Sequence, residues 1–326
     1  MKTLGKFFCV CMALAMLLGS LAGCASVKKI KSTGEEKKIV GSCGGYDVRY
    51  EELRHLAYIH KEEMKAEYGE NVFADDMYAE ELLKRVEASL CEHYAILAIC
   101  EDAGVKRSDK QTKNEVQEDV EAVVEALGGL DAYKEYLAET RMTDALYRLY
   151  TSIVSCQYRY YDEVSFETLE KEAYDAVLGD EGFVHTMSIF VRNDEGEDVA
   201  DNREQAEFVR TEVLGGRPLE SFIGTKYNQD MSNCEYYFPI GYMDDAYESA
   251  AFSLAIGEVG EVVETDEGFY VIQRLATDKG YMETHLETLI DMYIVGKMNL
   301  AFEAHAQALS FEMNEYGKSL NLLELE

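Results

Sequence analysis

The sequence predicts an α+β chain: a mostly helical N-terminal domain completed by a C-terminal helix, with a small domain of strands and short helices inserted between them. Three observations predict it. Apolar residues recur at helical spacing from Leu53 to Ile153. Strand-like runs at Val184 to Val191, Val259 to Glu264 and Phe269 to Leu275 bracket shorter stretches whose apolar residues again follow the helical period. A long striped segment after Thr284 has an apolar face that it cannot bury alone, so it must pack on something else.

In chain order, Lys2 and Lys6 precede the apolar run Phe7 to Leu18, and Leu21-Ala22-Gly23-Cys24 follows. The run is shorter than the roughly 20 residues a spanning helix needs, so residues 1–23 read as a removed signal peptide. Residues 24–38 are a polar, lysine-rich tether. Lys28, Lys29 and Lys31 would favour anionic lipid heads if the start of the mature chain is held at a membrane; a plain solvated tether is equally consistent. Ile39 to Tyr50 predicts a hairpin of two short strands around Gly44-Gly45.

Residues 39–175 are then expected to be helical. The predicted stripes are Leu53, Leu56 and His60; then Leu83, Val86, Leu90 and Leu97; then Val116, Val120, Val123, Val124 and Leu127; then Tyr133, Tyr136 and Leu137; and last Leu146, Leu149, Tyr150 and Ile153. Gly104 and Gly128-Gly129 supply stops, and Ser108 and Thr143 supply caps. Residues 180–277 form the insertion, read as a βα3β2 unit. Its first helix, from about Asn202 to Leu214, carries Ala206, Val209 and Val213 and stops at Gly215-Gly216; Leu219 and Phe222 mark the second helix, and Tyr247, Ala250, Ala251 and Leu254 the third. Residues 280–326 return as a helix to about Tyr316, striped by Leu286, Leu289, Tyr293 and Leu300, and Ser319 to Glu326 is expected to fray.

Composition narrows the function. Sixty-three acidic residues against 31 Lys and Arg give a formal net charge of −32. Loss of the two N-terminal lysines with the signal peptide makes it −34 (−32 minus 2). Such a surface argues against nucleic acid, whose phosphates need a basic face. The eight cysteines show no CxxC spacing and no accompanying histidine cluster, so no metal site and no regular disulfide framework is expected. Cys91 and Cys100, nine apart on a helix, point to opposite faces. Buried free thiols are the expectation.

Several blocks in one order, FPIGYM, AAFSLAIGEVGEVVET and GFYVIQRL after the YNQD segment, resemble the parvulin family of peptidyl-prolyl cis-trans isomerases. The stretch before them resembles the chaperone domain of the PrsA/SurA group of extracytoplasmic foldases: a strand pair running into YEEL, then AGVKRSDKQTKNEV, a Gly-Gly loop and YLAETRMTDALYRLY. LAGC is similar to a bacterial lipobox, which implies Cys24 as lipid acceptor and an extracytoplasmic location on the cell membrane.

The resemblance implies site residues. Met243, Tyr247 and Phe238 would line an apolar cup for the proline ring, with Phe252 as core support. Asp230 matches the acidic or cysteine position and Thr265 the site threonine. The family's two facing histidines match Tyr270 and either Ser188 or His185. Ser188 is the better match, because the apolar run and charged exit of the strand then align without a gap, and a three-residue shift would turn the strand over. His185 then reads as an ordinary strand histidine. The family's glycine-rich segment between YNQD and FPIGYM is replaced by Asn233-Cys234-Glu235-Tyr236, where Cys234 reads as a small buried filler.

Two functions follow as expectations. One is a membrane-anchored isomerase of X-Pro bonds in exported, unfolded polypeptides, working without a cofactor. The other is a non-catalytic chaperone with a degenerate parvulin-like domain, for which the 13 Met and 23 Tyr would suit adaptable surfaces, although most of them are ordinary core residues. A transporter-type binding lipoprotein would need a doubly wound α/β pattern, which the sequence lacks.

Overall fold

The computed structural model describes residues 29–32, 34–75, 77–179, 182–193, 199–228, 234–265 and 267–325. The signal segment, Cys24 and Asp230 lie outside the described residues. The chain divides into two compact units. One runs from Ser165 to Leu300, and the other joins the residues before Ser165 to those from Ala301 onward. The breaks fall at 164/165 and 300/301. No helix among the described residues is long and apolar enough to cross a membrane.

The helical unit begins with a hairpin, β1 (Ile39–Cys43) and β2 (Tyr46–Arg49). Gly44 and Gly45 turn it with φ of 57° and 85°, a region that costs glycine little. Five helices follow: α1 (Tyr50–Tyr68), α2 (Met77–Asp102), α3 (Lys110–Ala126), α4 (Leu130–Glu139) and α5 (Asp144–Tyr160). Thr143 caps α5, its hydroxyl accepting the Leu146 N–H at 3.1 Å. The stripes hold with exceptions: Leu82 rather than Leu83 joins Val86, Leu90 and Leu97 in the core, Leu127, Tyr136 and Leu149 are only half-buried, and Tyr147 is buried beside Leu146 and Tyr150. Cys91 and Cys100 do point apart. The Cys91 sulfur lies 3.6 Å from that of Cys43, and all five described cysteines are buried free thiols.

The C-terminal segment differs from its prediction. The long helix ends at Gln307, and Phe311–Met313 forms a last strand, β7, that pairs antiparallel with β1 and completes the sheet β2-β1-β7. The tail does not fray either: Leu325 is buried and its carbonyl accepts the Lys61 ammonium at 2.5 Å.

The second unit opens with α6 (Phe166–Gly179), then β3 (Phe183–Arg192), α7 (Val199–Leu214), β4 (Glu235–Pro239), α8 (Asp245–Ser253), β5 (Val263–Thr265) and β6 (Gly268–Leu275). A short helix α9 (Lys279–Thr284) and the long α10 (Leu286–Gln307) follow. Its sheet is antiparallel with order β4-β3-β6-β5. The predicted βα3β2 pattern therefore lacks one strand. Glu235–Pro239 was hidden because Tyr237, Phe238 and Pro239 are buried in succession rather than in alternation. Pro239 sits at the end of an edge strand, where its missing N–H costs nothing. The helix predicted around Leu219 and Phe222 is a single 3-10 turn.

The sheet separates two cores. Ile189, Val191, Phe269 and Val271 face α7 and the turn with Leu219 and Phe222. Val184, Phe238 and Ile272 face α8, whose Tyr247 and Ala251 fill that side. The buried stripe of α10 is Leu289, Ile290, Ile294 and Met298, not Leu286, Tyr293 and Leu300. Tyr293 instead donates its hydroxyl to Glu172 of α6 at 2.8 Å, and Lys297 pairs with the same carboxylate at 3.0 Å.

Candidate active site

Six of the sequence-predicted residues, Ser188, Phe238, Met243, Tyr247, Phe252 and Tyr270, gather on the α8 side of the sheet. Alternation along β3 turns Thr186, Ser188 and Phe190 to that side, and the register sets Phe190 opposite Tyr270 and Ser188 opposite Ile272. Ser188 and Tyr270 are thus diagonal neighbours on one face. Phe190 and Tyr270 stack with centroids 4.3 Å apart, and Tyr247 meets Tyr270 edge-on at 5.0 Å.

The centre of this face is a cluster of hydroxyls. Tyr247 shares a hydrogen bond of 2.9 Å with Thr186 and another with Ser188. Burial, opposed by those two bonds, pushes the Tyr247 phenol up to about 12, and burial raises Tyr270 as well. Both phenols are therefore neutral at ordinary pH. They can donate or accept a hydrogen bond, but they do not carry a charge to a substrate.

Two of the three residues expected to line the cup are covered by their neighbours. Phe238 is 0% and Tyr247 1% exposed, so neither ring can touch a ligand without displacing its neighbours. β4 pairs with β3 along its whole length, from Pro239 opposite Phe183 to Glu235 opposite Met187, and Phe238 packs under α8. Met243, Phe252, Tyr236 and Tyr270 keep some exposed surface and pack around that core. Those four form the accessible apolar patch.

Met243 is held there by a residue that the sequence reading passed over. Glu248 of α8 is buried, and its carboxylate accepts the N–H of Gly241 with both oxygens at 2.8 Å, that of Tyr242 at 3.0 Å and that of Met243 at 3.3 Å. Asp244 caps α8 by accepting the N–H groups of Ala246 and Tyr247. The signal was present as an Asp cap followed four residues later by Glu. It was passed over because a glutamate on a short helix ordinarily faces water.

The same loop is pinned from outside. Gly241 has φ 88°, and a Cβ added there would overlap the carbonyl of Gly296 on α10; one added at Gly296 would come within 2.5 Å of the Ile240 carbonyl. Asn299 also donates its amide to the Gly241 carbonyl at 3.0 Å.

The remaining candidates sit apart from this patch. Thr265 donates its hydroxyl to the Gly268 carbonyl at 3.0 Å and closes the β5–β6 turn. Cys234 is buried, and its sulfur accepts the Asn228 amide at 3.0 Å. His185 lies on the other face of β3. Its Nε2 meets Glu235 at 2.6 Å and its Nδ1 meets the Ala276 carbonyl at 2.7 Å. It begins a ladder of rings, His185 on Tyr237 at 3.9 Å, Tyr237 on Tyr281 at 4.3 Å and Tyr281 on His285 at 3.9 Å. No group of acidic, histidine or cysteine side chains among the described residues could hold a metal ion.

The chain matches no family model. It is 26% identical over 271 residues to the foldase protein PrsA of Caldanaerobacter subterraneus subsp. tengcongensis, covering 80% of each chain. Crystal structures of foldase protein PrsA from Streptococcus pneumoniae and of PrsA from Bacillus subtilis align with 83% and 84% of this chain and 92% and 91% of theirs. Their identities are 16% and 19% and their TM-scores 0.36 and 0.27. A Bacillus anthracis protein described as peptidylprolyl isomerase (PrsA) aligns with 67% of this chain and 94% of its own, at 16% identity and TM-score 0.29.

Proposed function

We propose that this relative of the PrsA foldases is an extracytoplasmic foldase, anchored by lipid at Cys24, that binds unfolded exported polypeptides and isomerises their X-Pro bonds weakly. The observation that carries the reading is the likeness to a protein named foldase across four-fifths of both chains. The patch of Met243, Phe252, Tyr236 and Tyr270 beside a core of buried rings supports it.

An X-Pro bond turns over a barrier of about 18–20 kcal/mol. Lowering that barrier needs no nucleophile. It needs an apolar seat for the ring and donors that prefer the twisted amide, whose nitrogen gains basicity as resonance is lost. Each tenfold of rate requires about 1.4 kcal/mol of such preference. The hydroxyls of Thr186, Ser188 and Tyr247 already satisfy one another, so they have little to offer a substrate without rearranging. This is why catalysis is proposed to be weak, with Met243 and Phe252 supplying the contact and the buried pair Phe238 and Tyr247 supporting them.

The second reading is a chaperone without turnover, and the closed core under the patch favours it. A proline-peptide isomerisation assay on the full chain separates the two. Measurable acceleration that falls in Met243→Ala supports the isomerase. No acceleration, with tight binding of a reduced unfolded protein, supports the holdase. Proline-dependent NMR shifts that avoid Met243, Phe252 and Tyr270 would sink the site assignment. For the anchor, Cys24→Ala should release the protein from membranes or leave the precursor uncut; unchanged fractionation and mass would defeat it.

A further inference from the structure

The helical unit contains a cavity of about 940 Å³ that the reading above does not use. In a chain of net charge −32, its lining is unusual: five cationic side chains against three carboxylates. Some of these charges have partners close by. Arg49 pairs with Glu51 at 3.6 Å. The Glu52 carboxylate accepts the Tyr94 hydroxyl at 2.7 Å through Oε2, while its Oε1 stands 3.8 Å from His93 and is buried without a hydrogen-bond partner.

Two guanidinium groups are not fully matched. Arg148 is buried, with 7% of its surface exposed. It donates through Nε to Asp144 at 2.9 Å and through Nη1 to the side-chain Oε1 of Gln117 at 2.9 Å. Its Nη2 is buried and has no hydrogen-bond partner. Arg107 makes no ion pair among the described residues, and its Nε is likewise buried without a partner. A buried donor left without an acceptor is costly and is rarely retained without a reason. Both arginines line the same cavity.

We propose that this cavity is a binding site for a carboxylate, with Arg107 and Arg148 as its donors. A carboxylate offers two oxygens, one for the Nη2 that Arg148 has left over and one for the Arg107 guanidinium, in charge-assisted bonds. The neighbouring Asp47, Glu51 and Glu52 make the cavity only modestly positive, which favours a monoanion over a doubly charged phosphate. The source is a client polypeptide, either an acidic side chain or the chain's C-terminus; that identification, unlike the carboxylate chemistry, rests on the foldase reading. The site lies within the helical unit and is separate from the Met243 patch. It would hold an acidic segment of a client by charge-assisted bonds while an apolar segment is bound elsewhere.

The test is calorimetric titration of the full chain with three acetylated, proline-free hexapeptides of Gly and Ser. The first carries one Glu and an amidated terminus, the second one Gln and a free terminus, and the third one Gln and an amidated terminus. One of the first two should bind at least tenfold more tightly than the third, and which one does identifies the source. Raising salt should weaken that binding. Arg107→Gln, at a partly exposed position, should remove the tenfold preference with unchanged thermal unfolding. Arg148→Gln should do the same if it folds, and Arg107→Gln decides the matter if it does not. Equal binding of the three peptides, binding of none at millimolar concentration, tighter binding of inorganic phosphate, or a preference that survives Arg107→Gln overturns the proposal. Because the peptides lack proline, any of these results leaves proline-dependent shifts at Met243 free to appear or not.

Discussion

The carboxylate of Glu248 accepts the backbone N–H of Gly241 with both of its oxygens, each at 2.8 Å. Through the adjoining N–H groups of Tyr242 and Met243 it shapes the turn that presents the thioether. Glu248→Ala leaves these amides without an acceptor in a buried place. A loss of about 1–3 kcal/mol follows, together with broadening of the Met243 methyl resonance. Glu248→Gln retains one acceptor oxygen and should fall between. Urea midpoints and methyl NMR check both, and a rigid Met243 in the alanine variant would show that the carboxylate is not what holds it.

Gly241 and Gly296 meet backbone to backbone. Gly241→Ala adds overlap with a carbonyl to a positive φ of 88°, and Gly296→Ala pushes on Ile240. Each should cost about 1–3 kcal/mol, as overpacking of a fixed contact does. The double variant should cost less than the sum, since either methyl alone already parts the two segments. Denaturant unfolding of all four proteins measures this.

Much of the architecture was legible in the sequence because burial follows periodicity. Val116, Val120, Val123 and Val124 were all placed in the core from spacing alone, and they are. Leu83 was misplaced because Leu82 and Leu83 are adjacent and a stripe cannot choose between neighbours. The strands Glu235–Pro239 and Phe311–Met313 were missed because short strands, both of them at sheet edges, are defined by partners distant in the chain. That Met243, Ser188 and Tyr270 lie on one side of the sheet fits the order of the motifs that singled them out. That Phe238 and Tyr247 are closed off was not, because it depends on how far β4 zips along β3. Glu248 was missed because only the folded turn brings three N–H groups to it.

Tyr247→Phe removes the hydroxyl that Thr186 and Ser188 share. A stability loss near 1 kcal/mol is expected, measurable by thermal unfolding. If the hydroxyls assist amide rotation, isomerase activity should fall while binding of a proline peptide stays the same. An equal fall in both would assign Tyr247 to support of the patch alone.

Stability should decline on mild acidification because of His55. Burial is the largest cause and pushes its imidazole down from 6.5 to about 4, against the hydrogen bond to the Thr140 carbonyl at 2.8 Å. Between these values the unfolded chain binds the proton and the folded chain does not, so stability rises with pH across the window and is lost as pH falls through it. The loss would reach about 3 kcal/mol by pH 4. Urea midpoints from pH 4.5 to 7.5 should show the slope, and His55→Gln should flatten it.

Cys43, Cys91, Cys100, Cys156 and Cys234 are buried. Burial also pushes the first four thiols up, which withholds the reactive thiolate. The native protein should therefore leave all five unlabelled by a maleimide, and urea should expose them together. Peptide mapping that finds Cys234 labelled alone would show that the loop before β4 opens locally.

The ladder His185–Tyr237–Tyr281–His285 gives the chain an optical handle. With no tryptophan and 23 tyrosines, ultraviolet emission is tyrosine emission. Tyr237 and Tyr281 are each sandwiched between rings at 3.9 and 4.3 Å, an arrangement that quenches by contact. Peeling α9 from the sheet would unstack Tyr281 and brighten both rings, so the protein carries its own reporter of whether the helices after β6 remain seated.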